Sequence, residues 1–515
     1  MIISLSVLVI TIIVSGTYAL YKAQLSKNIG VNTTTHGLAY YINYVKGTDI
    51  TAATLNPSTS YEGGASSDIE FWKKDDSYDI YGKIELTVNT IGTNLSNSPA
   101  LKYAVVNNGN VLKEGSLKGT TSGSKVTILK NLYLEQTKQI YTVYVWLDNS
   151  EELGNISNES LSISVDCTAS LQKEPTAADT IISLYTSAEK VTVTNNSIKY
   201  NTAPSVSLMN DRLGGTTTDL DGGNIRYYGA SPNNYIYFNC SDYSNQTSST
   251  CETWRIIGVF DGKLKLIRGS QIGKYSWDNK NTSTGEESSS GKNDWTTARL
   301  MKLLNPVDYY INDNNDKDSE GNYLGYSLYY NSTSGKCYSG QNNATVDCDF
   351  TSTGIKNDET RNMIAETTYN LGGWNTFTVY PNEIYEYERG TTVYTGRLPT
   401  WTGKIALAYP SDYGYAADLN QCVNKQLNKY NDSTCTSNNW MKSIITNNGS
   451  NPGWLLTPHS NYSYIAWGVI LSGIMGGNRA YYSSYGAAPV LYLSSELGIE
   501  SGGDGSSSNP YKLSA

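Results

Sequence analysis

The stretch from Trp254 to Ile267 constrains the fold most: Trp-Arg-Ile-Ile-Gly-Val-Phe, then Asp261-Gly262, then Lys-Leu-Lys-Leu-Ile. Two apolar, β-prone runs flank two residues that tolerate positive φ, the strongest short-range signal for an antiparallel hairpin. The same signal recurs at Asn108-Gly109, after the run Leu101 to Val106. Ile84, Leu86 and Val88 alternate with polar residues, as do Leu161, Ile163 and Val165, and Ile140 to Leu147 is a long strand. Short strands separated by turns predict an all-β sandwich, Ig-like or jelly roll, over residues 28–168. With 515 residues the chain exceeds what one core supports, so two or three domains are expected.

Composition narrows the partners. The net charge is −9 and no basic run is visible. Neutralising phosphates needs clustered Lys and Arg, so nucleic acid is excluded as a partner. There are 43 Tyr against 5 Phe, with 46 Gly. Tyr keeps a hydroxyl in water while its ring packs, which suits a β-rich protein with large wet surfaces.

Residues 1–24 carry an apolar run ending in Ser15-Gly16-Thr17-Tyr18-Ala19. The run is short for a membrane span, and Thr17 and Ala19 suit signal peptidase, but no Lys or Arg precedes it. Export signal and uncleaved anchor to the cell's own membrane both remain open. Residues 169–224 read as a helical connector, with Ala178, Ile181, Ile182 and Tyr185 on one face, followed by a polar linker with a short helix at Val206 to Leu213. A second domain, 225–495, adds helices at Trp295 to Asn305, from Asn357-Asp358 to Gly372-Gly373 and at Asn439 to Ile445, and a strand at Lys404 to Tyr409. Residues 496–515 form a Gly/Ser-rich tail that is expected to pack loosely.

Six cysteines fall in three local pairs, Cys240 with Cys251, Cys337 with Cys348 and Cys422 with Cys435. Six cysteines allow about fifteen connectivities, and pairing within each loop is the simplest. The short spacing of zinc sites is absent, and disulfides agree with an exported, extracellular protein. Cys167 is left over, either buried and free or a partner for another chain.

Gly453 to Leu493 carries the functional signal. Trp454-Leu455-Leu456 and Pro489 to Leu493 read as core strands, and the run between them is dense in Tyr, Ser, Gly and Asn. That middle has the composition of a paratope, in which rigid aromatics supply contact and small polar residues supply adaptable hydrogen bonds. The candidate ligand-binding residues are Tyr462, Tyr464, Trp467, Val469, Ile474, Met475, Asn478, Arg479, Tyr481, Tyr482, Ser484 and Tyr485. Ile470, Leu471, Ile474 and Met475 are either an apolar patch or a core strand.

Two resemblances enter here. The Trp254-Arg255-Ile256-Ile257 hairpin, the Trp295 to Asn305 segment, Trp454-Leu455-Leu456-Thr457-Pro458 and Ala488 to Leu493 occur in the order of one bacterial domain family of unknown function from exported proteins. That family resembles the C-type-lectin fold in its formylglycine-generating-enzyme-like form. The resemblance implies a multidomain chain, an all-β sandwich followed by an α+β C-type-lectin-like domain. It also implies a scaffold tolerant of variation just before its last core strand, the position of Tyr462 to Tyr485, as in folds diversified by retroelements. The family often has Leu-Arg-Ser-Pro where this chain has Leu455 to Pro458, so that Arg has no counterpart. The apolar leader followed by a strand-rich sandwich resembles camelysin-like matrix proteins.

Catalysis is poorly supplied. The chain has 2 His, His36 and His459. A Ser–His or Cys–His pair needs one in a defined site, and His459 beside Ser460 and Asn461 reads as an exposed loop residue. Copper-type activity of the formylglycine fold needs paired late cysteines, and none follows Cys435. Asp316, Asp318 and Glu320 are spaced like Ca2+ ligands, yet the closing Glu of an EF-hand loop is Ser327, so a solvated acidic loop is preferred and calcium is the one cofactor left open. The reading is a surface protein that binds a protein or glycan ligand on another cell or phage. The alternatives are a metal-dependent enzyme of that fold and a structural matrix or filament subunit. On this reading, replacing Tyr481, Tyr482 and Tyr485 with Ala abolishes adhesion and leaves thermal stability nearly unchanged.

Overall fold

The structure is a computed structural model that describes residues 41–51, 55–149, 153, 155–156, 159–211, 223–279, 290–305, 334–337 and 346–514, with the backbone alone at 334–337, 346–349 and 358. The chain divides into two compact units, Met1–Glu174 and Pro175–Ala515. It is mostly strand with few helices, arranged in several sheets, so the β-rich multidomain reading holds.

In the first unit one sheet runs Ile42–Val45, Ala65–Lys73, Ile140–Asp148, Leu101–Asn107, Asn110–Ser116, with Pro57–Ser58 parallel to Ile140–Asp148. The other runs Ile50–Thr51, Leu161–Ser170, Tyr81–Ile91, Lys125–Tyr133. The period-2 pattern decides which side chains point inward. Ile69, Phe71, Val143 and Val145 of the first sheet share a core with Ile84, Leu86, Val88, Ile163 and Val165 of the second. The Asn108-Gly109 turn has φ of 49° and 77°, the left-handed pair its sequence calls for. Cys167 is buried and free, and burial pushes its thiol pKa well up.

The second unit is built on a nine-stranded sheet. Its order is Val191–Asn195, Ile198–Ala203, Leu208–Asn210, Ile225–Tyr227, Glu252–Phe260, Lys263–Arg268, Pro489–Tyr492, Ile405–Leu407, with Tyr235–Phe238 also pairing to Glu252–Phe260. The central hairpin turns at Asp261 and Gly262, φ 48° and 71°. Much of the stretch read as linker is therefore sheet: Val191–Asn195, Ile198–Ala203 and Leu208–Asn210 pair in register, and Leu208–Asn210 pairs with Ile225–Tyr227, even though the composition is polar. The expected helix at Val206 to Leu213 is a 3-10 turn, Pro204–Val206, followed by a strand. The tail is also ordered. Gly498–Ile499 pairs with Leu513–Ser514, and Tyr511 bridges to Ile236 and is buried.

The helix expected at Asn439 to Ile445 is present as Trp440–Ile445 capped by Asn439, but two others are shorter than their sequence signals suggest. Asn305 caps Arg299–Leu304 after a 3-10 turn at Trp295–Thr297. The segment from Asn357 gives helix Asp358–Met363 and then strand Thr367–Asn370. Helices Pro381–Glu388 and Pro410–Tyr415 each begin on a proline, whose fixed φ suits the first turn.

Helix Pro410–Tyr415 is fastened to the sheet by charge. Asp412 accepts from Arg226 Nη1 at 2.9 Å and from Lys265 Nζ, and Arg226 Nε also donates to Asp211. Burial alone would raise the Asp412 pKa, but Lys265 and Arg226 overcome it and hold the carboxyl below its usual range.

Among the described residues two disulfides are present, Cys240–Cys251 and Cys422–Cys435. The side chains of Cys337 and Cys348 lie outside the described residues, as do Met1 to Tyr21, His36, Asp316, Asp318 and Glu320. The Cys422–Cys435 link closes a loop with a sequence separation of 13. Replacing both cysteines with Ala is expected to lower stability in urea unfolding by about 3 kcal/mol, the entropy of a loop that size in the unfolded chain.

Candidate functional site

A three-stranded sheet carries the region singled out by sequence: Gly453–Pro458, Ile465–Val469 and Met475–Arg479. In the second pair Ile465 lies opposite Arg479, Trp467 opposite Gly477 and Val469 opposite Met475. Opposite residues share a face, so these six side-chain positions look one way and Ala466, Gly468, Gly476 and Asn478 the other.

This pleat sorts the candidates. Trp467, Val469 and Met475 are fully buried, and Tyr485 is only 6% exposed. They are core residues, which corrects their assignment to an exposed face. The physical reason for Tyr485 is glycine. Its ring lies over Gly468, where a Cβ would meet it at 2.9 Å, and it stacks on Trp454 at 4.2 Å. Asn478 spends its amide on the Tyr485 hydroxyl. The apolar quartet splits: Met475 is buried, Ile470 and Ile474 are half-buried and Leu471 is exposed.

What remains at the surface is Tyr462, Arg479, Tyr481, Tyr482 and Ser484, with Tyr464 half-buried. They form two aromatic pairs. Tyr462 and Tyr464 have ring centroids 5.8 Å apart with Arg479 over Tyr464 at 6.0 Å, and Tyr481 and Tyr482 lie 5.6 Å apart.

Sequence reasoning missed one exposed aromatic at this sheet. Phe377 is 50% exposed and sits edge-on to Trp467 at 5.5 Å. Gly477 lies below it. A Cβ there would press to 2.7 Å on Ile465 and reach the Phe377 ring at 3.6 Å. The available signal was scarcity: the chain has 5 Phe, and the other four are buried.

The loop from His459 to Tyr464 is held from outside its own strands. Asn293 donates its amide to the carbonyls of His459, Tyr462 and Ile465 at 2.8–3.0 Å. Ser460 N donates to the Trp374 carbonyl at 3.1 Å, and Arg397 reaches the Ser463 carbonyl at 3.4 Å. His459 is 1% exposed, not a surface loop residue as its neighbours Ser460 and Asn461 suggest. It stacks on Trp467 at 5.6 Å and contacts Tyr462 at 4.9 Å. Burial lowers its pKa, against the pull of the Asn375 carbonyl. Among the described residues no three His, Cys, Asp or Glu cluster at metal-binding distance.

No protein-family model matches the chain, and no curated protein matches it. Among solved structures, the receptor-binding domain of botulinum neurotoxin mosaic serotype C/D is 12% identical, covering 49% of this chain and 73% of its own, at a TM-score of 0.15. The binding domain of botulinum neurotoxin serotype C1 is 9% identical, with 52% and 79% covered, at 0.15. The serotype D ligand binding domain in complex with N-acetylneuraminic acid is 12% identical, with 49% and 74% covered, at 0.14. Likenesses this weak carry no argument about fold or ligand.

Tyr485→Ala is expected to destabilise by about 3–5 kcal/mol, as a large ring leaves a cavity against Trp454. Tyr481→Ala and Tyr482→Ala should each stay within about 0.5 kcal/mol. Urea unfolding of the three variants measures the difference.

Proposed function

We propose that this is an exported bacterial cell-surface protein that binds a protein or glycan ligand without catalysis, on a C-type-lectin-like scaffold in its Pro175–Ala515 unit. The observation that carries the reading is Phe377, exposed against Trp467 and Gly477 of the small sheet whose edge residues include Arg479, with Tyr462 and Tyr464 on the loop before it. Wherever else this chain uses Phe, the ring is buried. An exposed ring with no hydroxyl pays for its contact with water, and a ligand that covers it recovers that cost. Tyr462 and Tyr464 add stacking area, and Arg479 offers a planar fork to a carboxylate or sulfate. The two disulfides support an oxidising exterior. The N-terminal apolar segment is the route of export or the anchor to the cell's own membrane.

Retention of the full chain on immobilised mucin and on arrays of neutral, sialylated and sulfated glycans tests the proposal. Phe377→Ala and Tyr462→Ala are each expected to weaken retention at least about tenfold, or about 1.4 kcal/mol, with the thermal midpoint nearly unchanged. Arg479→Ala should remove any preference for acidic glycans. Retention that ignores all three substitutions overturns the assignment of this face.

A further inference from the structure

We propose that Lys265 and Asp412 condense into an amide bond in the folded chain, a covalent cross-link between the main sheet and helix Pro410–Tyr415. The cross-link is a property of the chain itself and does not depend on any ligand.

The pair differs from its counterparts in burial. Among the described residues the other lysine–aspartate pairs keep contact with water, at Lys46–Asp166, Lys73–Asp76, Lys102–Asp148, Lys292–Asp294 and Lys425–Asp432. The side chains of Lys265 and Asp412 are only 0% and 1% exposed. Lys265 Nζ donates to Asp412 Oδ2. The rings of Tyr409, Phe260 and Tyr492 surround that nitrogen at 4.4, 5.0 and 5.4 Å. Taking two charges out of water is costly even when they pair, and condensation removes both. The cluster stays balanced afterwards, because Arg226 remains paired with Asp211.

The neighbours supply the parts of an acyl transfer. Arg226 Nη1 donates to Asp412 Oδ1 at 2.9 Å, where negative charge develops as the amine adds. Tyr409 N donates at 2.9 Å to Oδ2, the oxygen that leaves. The hydrogen bond to Oδ2 holds Nζ one carboxylate bond away from Cγ, so the reacting groups are brought together by the fold. Burial pushes Lys265 down to about 8, against the pull of Asp412. Burial acts on Asp412 in the upward sense, although Lys265 and Arg226 hold it low. One proton passing along the hydrogen bond turns the ion pair into an amine and a carboxylic acid, with no change in net charge.

The step is a dehydration. The Nζ lone pair forms the bond to Cγ and the Cγ–Oδ2 bond breaks. Oδ2 leaves as water with two protons of the original ammonium, and the third stays on the amide nitrogen. Oxidation states do not change and no co-reactant is consumed. The new bond would close a loop with a sequence separation of 147. It would also fix the helix whose Tyr413 hydroxyl donates to the Gly473 carbonyl, at the turn of the small sheet.

Peptide mass spectrometry of the full-length protein, denatured, reduced and digested with trypsin, tests the proposal. The expected result is no cleavage after Lys265 and a branched peptide that carries Lys265 and Asp412 and is one water lighter than its two parts. Asp412→Asn should yield the same branched peptide, by loss of ammonia from the side-chain amide. Lys265→Arg keeps the cation without the amine and should yield two separate peptides. Cleavage after Lys265 together with an Asp412 peptide of unmodified mass, from wild-type protein that is folded by circular dichroism, overturns the proposal. So does an Asp412 peptide joined to a different lysine. The wild-type digest decides the matter even where Lys265→Arg fails to fold.

Discussion

The buried carboxylate of Asp412 is the constraint on which the second unit depends. It joins Arg226 and Lys265, from two strands of the main sheet, to the first turn of helix Pro410–Tyr415. It also caps that helix by accepting from Tyr409 N at 2.9 Å. Removing one partner of such a group leaves an uncompensated buried charge, at a cost of about 3–5 kcal/mol. The helix then reaches the site. Tyr413 donates its hydroxyl to the Gly473 carbonyl at 2.7 Å, at the turn that joins Ile465–Val469 to Met475–Arg479. Leu456 N donates to the Ala408 carbonyl at 2.9 Å, one residue beyond strand Ile405–Leu407, and so ties the small sheet to the large one. The candidate face is thus positioned by an ion cluster that none of its own residues belongs to.

The tyrosine-rich composition has a different meaning from the one its hydroxyls first suggest. Many of the tyrosines brace the interior. Tyr430 donates to the Gly414 carbonyl at 3.1 Å, Tyr369 to the Lys404 carbonyl at 3.1 Å and Tyr185 to the Asn201 carbonyl at 3.4 Å. Burial raises the pKa of all three, so they stay neutral donors. Each supplies apolar area and a hydroxyl hydrogen bond to a backbone carbonyl that a phenylalanine could not make. Against that background Phe377 stands out as the phenylalanine that the fold leaves in water.

Local chemistry was legible in the sequence and tertiary context was not. The hairpins at Asn108-Gly109 and Asp261-Gly262 are written in two residues each, because positive φ is a property of those residues. The strands Val191–Asn195, Ile198–Ala203 and Leu208–Asn210 were hidden because their buried apolar residues, among them Val193, Tyr200 and Leu208, are spread thinly through a polar stretch. Tyr485 was misplaced because the space for its ring is made by Gly468, seventeen residues earlier, across the sheet. His459 was misplaced because its backbone bridges to Trp374, distant in sequence, and its ring stacks on Trp467 of the next strand. Composition singled out one stretch, and the pleat decides which half of it faces out.

The surviving face is small but stiff, and the stiffness bears on how it would bind. A loop that must be ordered by its ligand gives up part of the interaction energy to conformational entropy. Here the ordering is already done. The Asn293 amide gathers three carbonyls of the His459 to Ile465 segment, and Ala480 N pairs with the Tyr464 carbonyl at 2.8 Å. Trp467 underlies Phe377, and Gly477 admits Ile465 beside it. With the backbone fixed from below, identity changes at Tyr462, Tyr481, Tyr482 and Ser484 alter what the surface offers without altering where it is. The buried members of the same stretch have no such freedom, since Trp467, Met475 and Tyr485 hold the sheet on which the exposed ones stand.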